Sequence, residues 1–143
     1  MKISTRGRYA LRVMVDIAEN GGADFVPLKD IAARQEISQK YLESITADLA
    51  KAGLLYGRHG KGGGYRLTRD PSLYTVGEVL RVTEGDLAPV ACLDANAAPC
   101  SRAYGCRTLP VWKDLYALIN KYLNGVKLSD IVSATAGGDD YVI

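Results

Sequence analysis

Residues 28–68 read LKDIAARQEISQKYLESITADLAKAGLLYGRHGKGGGYRLT. Pro27 opens a short helix in which Leu28, Ile31 and Ala32 recur at helical spacing. A turn follows at Glu36-Ile37, and Ser38 is a good N-cap for a second helix. That helix carries Leu42, Ile45 and Leu49 on one face and ends at Ala52-Gly53. Ala32 is small where the two helices must approach closely. The pattern is a helix-turn-helix. Its second helix is expected to expose Gln39, Lys40, Tyr41, Glu43, Ser44 and Thr46 near its N-terminus. Those side chains can read base edges, and the helix end itself favours phosphate. Glu43 in particular can accept a hydrogen bond from cytosine. Glu36 stands where such a turn often has glycine, so a slightly wider turn is expected.

Two helices of this kind could be an ordinary solvated hairpin. The next segment decides otherwise. Short strands are expected at 54–57 and 65–68, joined by Arg58-His59-Gly60-Lys61-Gly62-Gly63-Gly64. A hairpin with a basic, glycine-rich tip directly after the second helix is a wing. Its glycines let the backbone pass close to phosphates, Arg58 and Lys61 supply charge, and His59 adds a donor. A nucleotide-cradling glycine loop needs a helix after it. Here the glycines lead into Tyr65-Arg66-Leu67, a strand. The fold class is therefore mainly α: a winged helix-turn-helix with a two-stranded wing.

Upstream, Thr5 can cap a helix over 5–20 with Tyr9, Ala10, Val13, Met14 and Ile17 on one face, ended by Gly21-Gly22. Downstream, Asp70-Pro71 breaks the chain. Thr75 and Glu78 form a capping box for a helix with Val76, Val79, Leu80 and Val82. Residues 85–107 lose periodicity. Thr108 then caps a long helix with Pro110 in its first turn. Its polar positions, Lys113, Asp114, Asn120, Lys121 and Asn124, span only about 120° of the circumference. So apolar a helix needs cover on two sides, and a second copy of the chain is the simplest cover. Trp112, Leu115, Ile119 and Tyr122 are expected at that dimer interface. The organisation expected is a winged domain over 1–84, a cysteine-bearing loop over 85–107, a dimerisation helix and C-terminal segment over 108–132, and a tail over 133–143.

Composition narrows the partners. Apolar residues make up 48% of the 143, enough for a packed core. Residues 1–70 hold 12 Lys/Arg against 8 Asp/Glu, a net of +4, while 71–143 hold 6 against 8, a net of −2. The basic half suits a phosphate-facing surface. There is neither a run of 18 apolar residues nor an apolar N-terminal leader, so a cytoplasmic protein without membrane contact is expected. Three cysteines, Cys92, Cys100 and Cys106, fall within one fifteen-residue stretch. An odd count argues for metal or redox chemistry rather than a disulfide framework. Their x7 and x5 spacing matches no zinc ribbon, zinc finger or common ferredoxin. From spacing alone, a metal site, a metal-free thiol sensor, zinc and inert thiols all stay open. Arg102 and Arg107 sit beside them and favour thiolate. No histidine or carboxylate is placed for general-base work there, so an enzyme is not expected.

The segments Met1–Ala10, Ser38 to Leu42 followed by Glu43, Gly60 to Tyr65, Val76-Gly77-Glu78-Val79 and the cysteine loop before Trp112 together resemble the Rrf2 family of winged-helix regulators. Within it they resemble the IscR-like, iron–sulfur branch. The likeness spans about residues 1–132. It implies an N-terminal winged helix with a long C-terminal dimerisation helix, working as a homodimer on a double-stranded DNA operator. The candidate DNA-facing set becomes Lys2, Ser4, Arg6, Arg8, Ser38, Gln39, Lys40, Tyr41, Glu43, Ser44, Arg58, His59 and Lys61. Many members carry Arg where this chain has His59, with Arg58 one position earlier. The likeness also implies an iron–sulfur cluster on Cys92, Cys100 and Cys106, with 2Fe–2S favoured over 4Fe–4S. Some members add a histidine three residues after the last cysteine. Here that position is Leu109, and the chain's single histidine is in the wing. The implied function is control of iron–sulfur biogenesis genes in response to cluster status. The alternative is a cluster-free repressor of cysteine-metabolism genes, or a thiol redox or nitric oxide sensor.

Overall fold

In the computed structural model, which describes residues 1–136, six helices surround a two-stranded antiparallel sheet. Helix α1 (Thr5–Asn20) is the central element, packed against α2, α3, α4, α6 and the wing. Its cap is Ser4 rather than Thr5. Ser4 is extended, and its hydroxyl accepts from the Gly7 amide at 3.0 Å, while the Thr5 hydroxyl accepts from Arg8. Ala10, Val13, Met14 and Ile17 are buried as the spacing predicts.

Helices α2 (Leu28–Gln35) and α3 (Gln39–Lys51) form the helix-turn-helix, with Ile31, Leu42, Ile45 and Leu49 in the seam. The turn is not widened. Glu36 itself adopts the left-handed conformation, with φ 55° and ψ 45°, that a glycine would hold at lower cost. Glu36→Gly is therefore expected to stabilise the protein by about 0.5–1 kcal/mol, the relief of left-handed strain less the extra freedom of the unfolded chain. Chemical denaturation checks this, and a destabilised variant would show that the Glu36 side chain contributes more than its backbone costs.

Buried Asp16 locks α2 onto α1. It accepts from Arg34 Nε at 3.0 Å and Nη2 at 2.7 Å, and from Gln35 Nε2 at 2.9 Å. A bidentate guanidinium and an amide satisfy a carboxylate that burial would otherwise penalise.

The wing strands are β1 (Leu55–Arg58) and β2 (Gly64–Leu67), paired Leu55 with Leu67 and Arg58 with Gly64. Each lies one residue from the expected position. Leu54 is taken up in ending α3, its amide bonded to the Leu49 carbonyl, and the Thr68 amide goes to the Tyr74 hydroxyl. Tyr74, which the periodicity did not single out, is fully buried beneath the hairpin. Its hydroxyl accepts from the Thr68 and Arg69 amides and donates to the Leu54 carbonyl at 2.9 Å. Val26 adds a single bridge to Tyr65, so β2 is hydrogen-bonded on both of its edges, to β1 and to the segment before α2.

Helix α4 (Val76–Glu84) is capped by Thr75, but only half of the expected box forms, because the Glu78 carboxylate goes to Arg69 at 2.7 Å. After an irregular loop come α5 (Leu109–Gly125) and α6 (Leu128–Ala136). The second of these corrects the expected tail, since residues 133–136 belong to a helix; 137–143 lie outside the described residues. Asp130 accepts from the Lys127 amide, Leu128 is buried, and α6 returns to pack on α1. A bridge from Lys127 to Thr75 fixes the turn.

Candidate DNA interface and cysteine loop

The exposed N-terminal half of α3 and the wing flank an open groove. It is lined by Gln39, Glu43 and Ala47 of α3, by Gly57, Arg58, His59 and Tyr65 of the hairpin, and by Lys29 at the start of α2. Four of the expected DNA-facing residues, Gln39, Glu43, Arg58 and His59, thus border one surface. Lys40, Ser44 and Lys61 are exposed nearby in sequence but do not line the groove. Lys29 is a groove residue that the sequence patterns did not single out, although its place in the first turn of α2, two residues after Pro27, is a signal.

Several other expected residues are committed within the chain. The Ser38 hydroxyl caps α3 through the Tyr41 amide at 3.2 Å. Tyr41 is half-buried, its ring edge-on to Tyr9 at 5.7 Å. Ser4 caps α1, and its amide and hydroxyl both donate to Glu84 at the end of α4. Arg6 pairs with Asp48 and reaches the Ser44 carbonyl, holding α1 to α3. Lys2 and Arg8 are exposed. Thr46 corrects the expectation of exposure. It lies one turn after Leu42 on the inner face, fully buried, and its hydroxyl donates to the Leu42 carbonyl at 2.8 Å.

The opposite face of the hairpin carries a cluster that the sequence reading also missed. The Arg66 guanidinium lies 4.9 Å from the Phe25 ring centroid and 5.2 Å from that of Tyr56, and Arg58 lies 5.5 Å from Phe25. The two rings are 5.9 Å apart.

The cysteine loop joins α4 to α5 and holds only two short 3-10 turns, at Ala91–Leu93 and Ala103–Gly105. Its organiser is Asp86. One carboxylate oxygen accepts from the Tyr116 hydroxyl at 2.6 Å and the Ala88 amide at 2.8 Å; the other accepts from the Ala95 amide at 2.7 Å. These bonds, Tyr116 first, hold the Asp86 pKa below the ordinary carboxylate value, and the same bond raises that of Tyr116. Cys92 and Cys100 are exposed, Cys106 is half-buried, and none is in a disulfide. The Cys106 thiol is pushed below its ordinary pKa, first by the Thr108 hydroxyl at 3.5 Å, then by the Thr108 and Leu109 amides at the start of α5, with a smaller contribution from Arg102. Thr108 thus serves the thiol, not the helix end, where its side chain makes no capping bond. Three soft, unpaired thiols in one loop are a donor set suited to iron. Among the described residues, however, no three His, Cys, Asp or Glu side chains are gathered as a ligand set, so metal binding requires the loop to draw its thiols together.

Helix α5 has two apolar sides. Ile119 and Leu123 pack on Val76, Leu80 and Leu87, and the side chains of Asn120 and Asn124 each accept from Arg81 at 2.7 Å. Two members of the polar arc, both asparagines, thus face α4. Val111, Leu115, Leu118 and Tyr122 fall within roughly 60° of the other side. They stay 57%, 38%, 63% and 70% exposed. Trp112 is also exposed, near the loop. Of the four residues expected at an interface, Leu115 and Tyr122 lie on this open stripe and Ile119 points largely into its own chain.

Comparison with known proteins adds that residues 3–134 match the Rrf2 family, described as iron-dependent transcriptional regulators. This chain belongs to the Rrf2 family. It is 36% identical over 133 residues to the HTH-type transcriptional regulator IscR of Vibrio vulnificus, covering 93% of this chain and 78% of that one. The Escherichia coli IscR is 37% identical over 133 residues, covering 93% and 81%. Among solved structures, CymR, the global cysteine regulator of B. subtilis, matches with a TM-score of 0.76 at 34% identity, over 94% of this chain and 98% of that one. The IscR of T. potens matches with a TM-score of 0.74 at 33% identity, over 99% and 94%. This Rrf2 member is accordingly a winged-helix, DNA-binding transcription regulator and not an enzyme. No helix among its described residues is long and apolar enough to cross a membrane.

Proposed function

We propose that this regulator acts as a homodimer on a double-stranded DNA operator, and that Cys92, Cys100 and Cys106 hold an iron–sulfur cluster of the 2Fe–2S type whose state controls binding to iron–sulfur biogenesis genes. The observation that carries this reading is the position of the thiols. They sit on the segment joining α4, which follows the wing, to α5, which bears the uncovered apolar stripe, and Asp86 ties that segment to Tyr116 of α5. The iron-dependent description of the family and the likeness to IscR support it. When bound, such a group supplies an iron-dependent cross-link among thiolates that oxidants can alter. The chain's own contribution is to keep Cys106 acidic through Thr108 and the amides of α5. For the dimer, Val111, Leu115, Leu118 and Tyr122 have the alternating four- and three-residue spacing of a coiled-coil seam.

The likeness to CymR, a global cysteine regulator, favours a second reading: control of cysteine-metabolism genes without a cluster. Iron and acid-labile sulfide measured per chain in anaerobically purified protein separates the two. Equal iron and sulfide, absent from Cys92→Ala, is the expected result. Iron-free protein that binds its operator as well as the Cys92→Ala variant would assign the second reading.

The wing is expected to touch phosphates. Lys61→Ala should weaken binding to every DNA sequence and make the dependence of log K on log salt shallower by about one unit for each phosphate no longer neutralised. An unchanged slope would remove Lys61 from the interface.

A further inference from the structure

We propose that the wing grips DNA on both of its faces: Arg58 and Arg66, held by Phe25 and Tyr56, bind the sugar–phosphate backbone on the side turned away from α3. Side chains alternate across a strand, so the register separates two sets. Gly57 and Tyr65 turn toward the groove shared with α3, whereas Tyr56 pairs with Arg66 on the outer face, and Arg58 is in phase with Tyr56. Arg58 borders the groove through its place at the rim, but its guanidinium lies over Phe25.

Two features of the outer cluster point to a polyanion. First, both guanidinium groups sit over one ring, 4.9 and 5.5 Å from the Phe25 centroid, and neither is in an ion pair among the described residues. Two unneutralised cations on one ring repel each other, and an anion between or beside them removes that repulsion. Second, the rings hold flexible side chains in place beforehand, so less side-chain freedom is lost when a phosphate binds. Duplex DNA presents two phosphate strands, one on each side of a groove. A wing entering a groove meets one strand with its α3 side and the other with its outer side. Phe25 and Tyr56 are positioning residues in this arrangement, and Arg66 is the added contact.

The test measures binding to a mixed-sequence DNA duplex over a range of salt, for the wild-type chain, Arg66→Ala, Phe25→Leu and Phe25→Tyr. Thermal melts confirm that each is folded. Arg66→Ala should bind several-fold more weakly, with the salt slope shallower by about one unit for each subunit engaged. Phe25→Leu keeps apolar bulk but removes the ring, so it should weaken binding in the same direction while both arginines remain. Phe25→Tyr should restore it. Lys61→Ala, run alongside, reports on the rest of the wing. A slope unchanged by Arg66→Ala, whatever Lys61→Ala does, would overturn the outer-face contact. Wild-type affinity in Phe25→Leu would overturn the positioning role of the ring.

Discussion

A Leu118→Asp chain is expected to run as a folded monomer in sedimentation or light scattering, and to lose most of its affinity for a two-site operator. Leu118 is 63% exposed within its own chain, so the substitution removes little from the core. It lies instead at the middle of the stripe formed with Val111, Leu115 and Tyr122. In a symmetric dimer the residue occurs twice, and each copy would bury an unpaired carboxylate at a cost of about 3–5 kcal/mol. Even one such penalty weakens association by roughly a hundredfold or more. Ile119→Asp would be a poorer test, because Ile119 packs against Val76, Leu80 and Leu87 and its loss would unsettle the fold as well. An intact Leu118→Asp dimer that still binds DNA would place the interface elsewhere.

Gly64→Ala is expected to be a strongly damaging single-methyl change in the wing. A Cβ at Gly64 would stand 2.2 Å from the Val26 carbonyl oxygen and 2.8 Å from the Pro27 nitrogen, both backbone atoms, and φ there is 148°. The approach is close because the Val26 and Tyr65 backbones exchange hydrogen bonds of 2.8 and 3.0 Å. Either that bridge opens or the hairpin shifts. The expected loss is about 3 kcal/mol or more, or a fall in Tm of roughly 10 °C. DNA affinity should fall with it as the wing leaves the groove edge. Gly62→Ala is the control. Gly62 also has positive φ, at 75°, but nothing lies within 4 Å, so only left-handed strain of about 1–2 kcal/mol applies. Equal melting of the two variants would show that the contact with Val26 carries no weight.

Much of the architecture was legible in local patterns. Helix periodicity placed α1 to α5, Ser38 and Thr75 were readable as caps, and the glycine-rich basic tip followed by Tyr65-Arg66-Leu67 distinguished a wing from a nucleotide loop. These features depend on neighbours a few residues apart, where backbone sterics and hydrogen-bond spacing operate. Glu36 and Thr46 mark the limit of that reach. The strain at Glu36 is tolerated because α2 is held to α1 through Asp16, Arg34 and Gln35, residues from separate helices. Thr46 looked like a reader of bases, yet its hydroxyl is satisfied within α3, which lets a polar residue sit in the core.

The tertiary structure alone decided which charges are free and which faces are covered. Arg6 is spent on Asp48, Ser4 on Glu84, and Asn120 and Asn124 on Arg81, all partners more than thirty residues away in the chain. Phe25 meets Tyr56, Arg58 and Arg66 only because the Val26 bridge brings the segment before α2 against the wing. The sequence by itself determined that the last long helix is too apolar to stand alone. Only packing could divide its surface into a side covered by α4 and a stripe left open. Cover depends on chain segments far apart in sequence, and a periodicity counts apolar positions without saying what meets them.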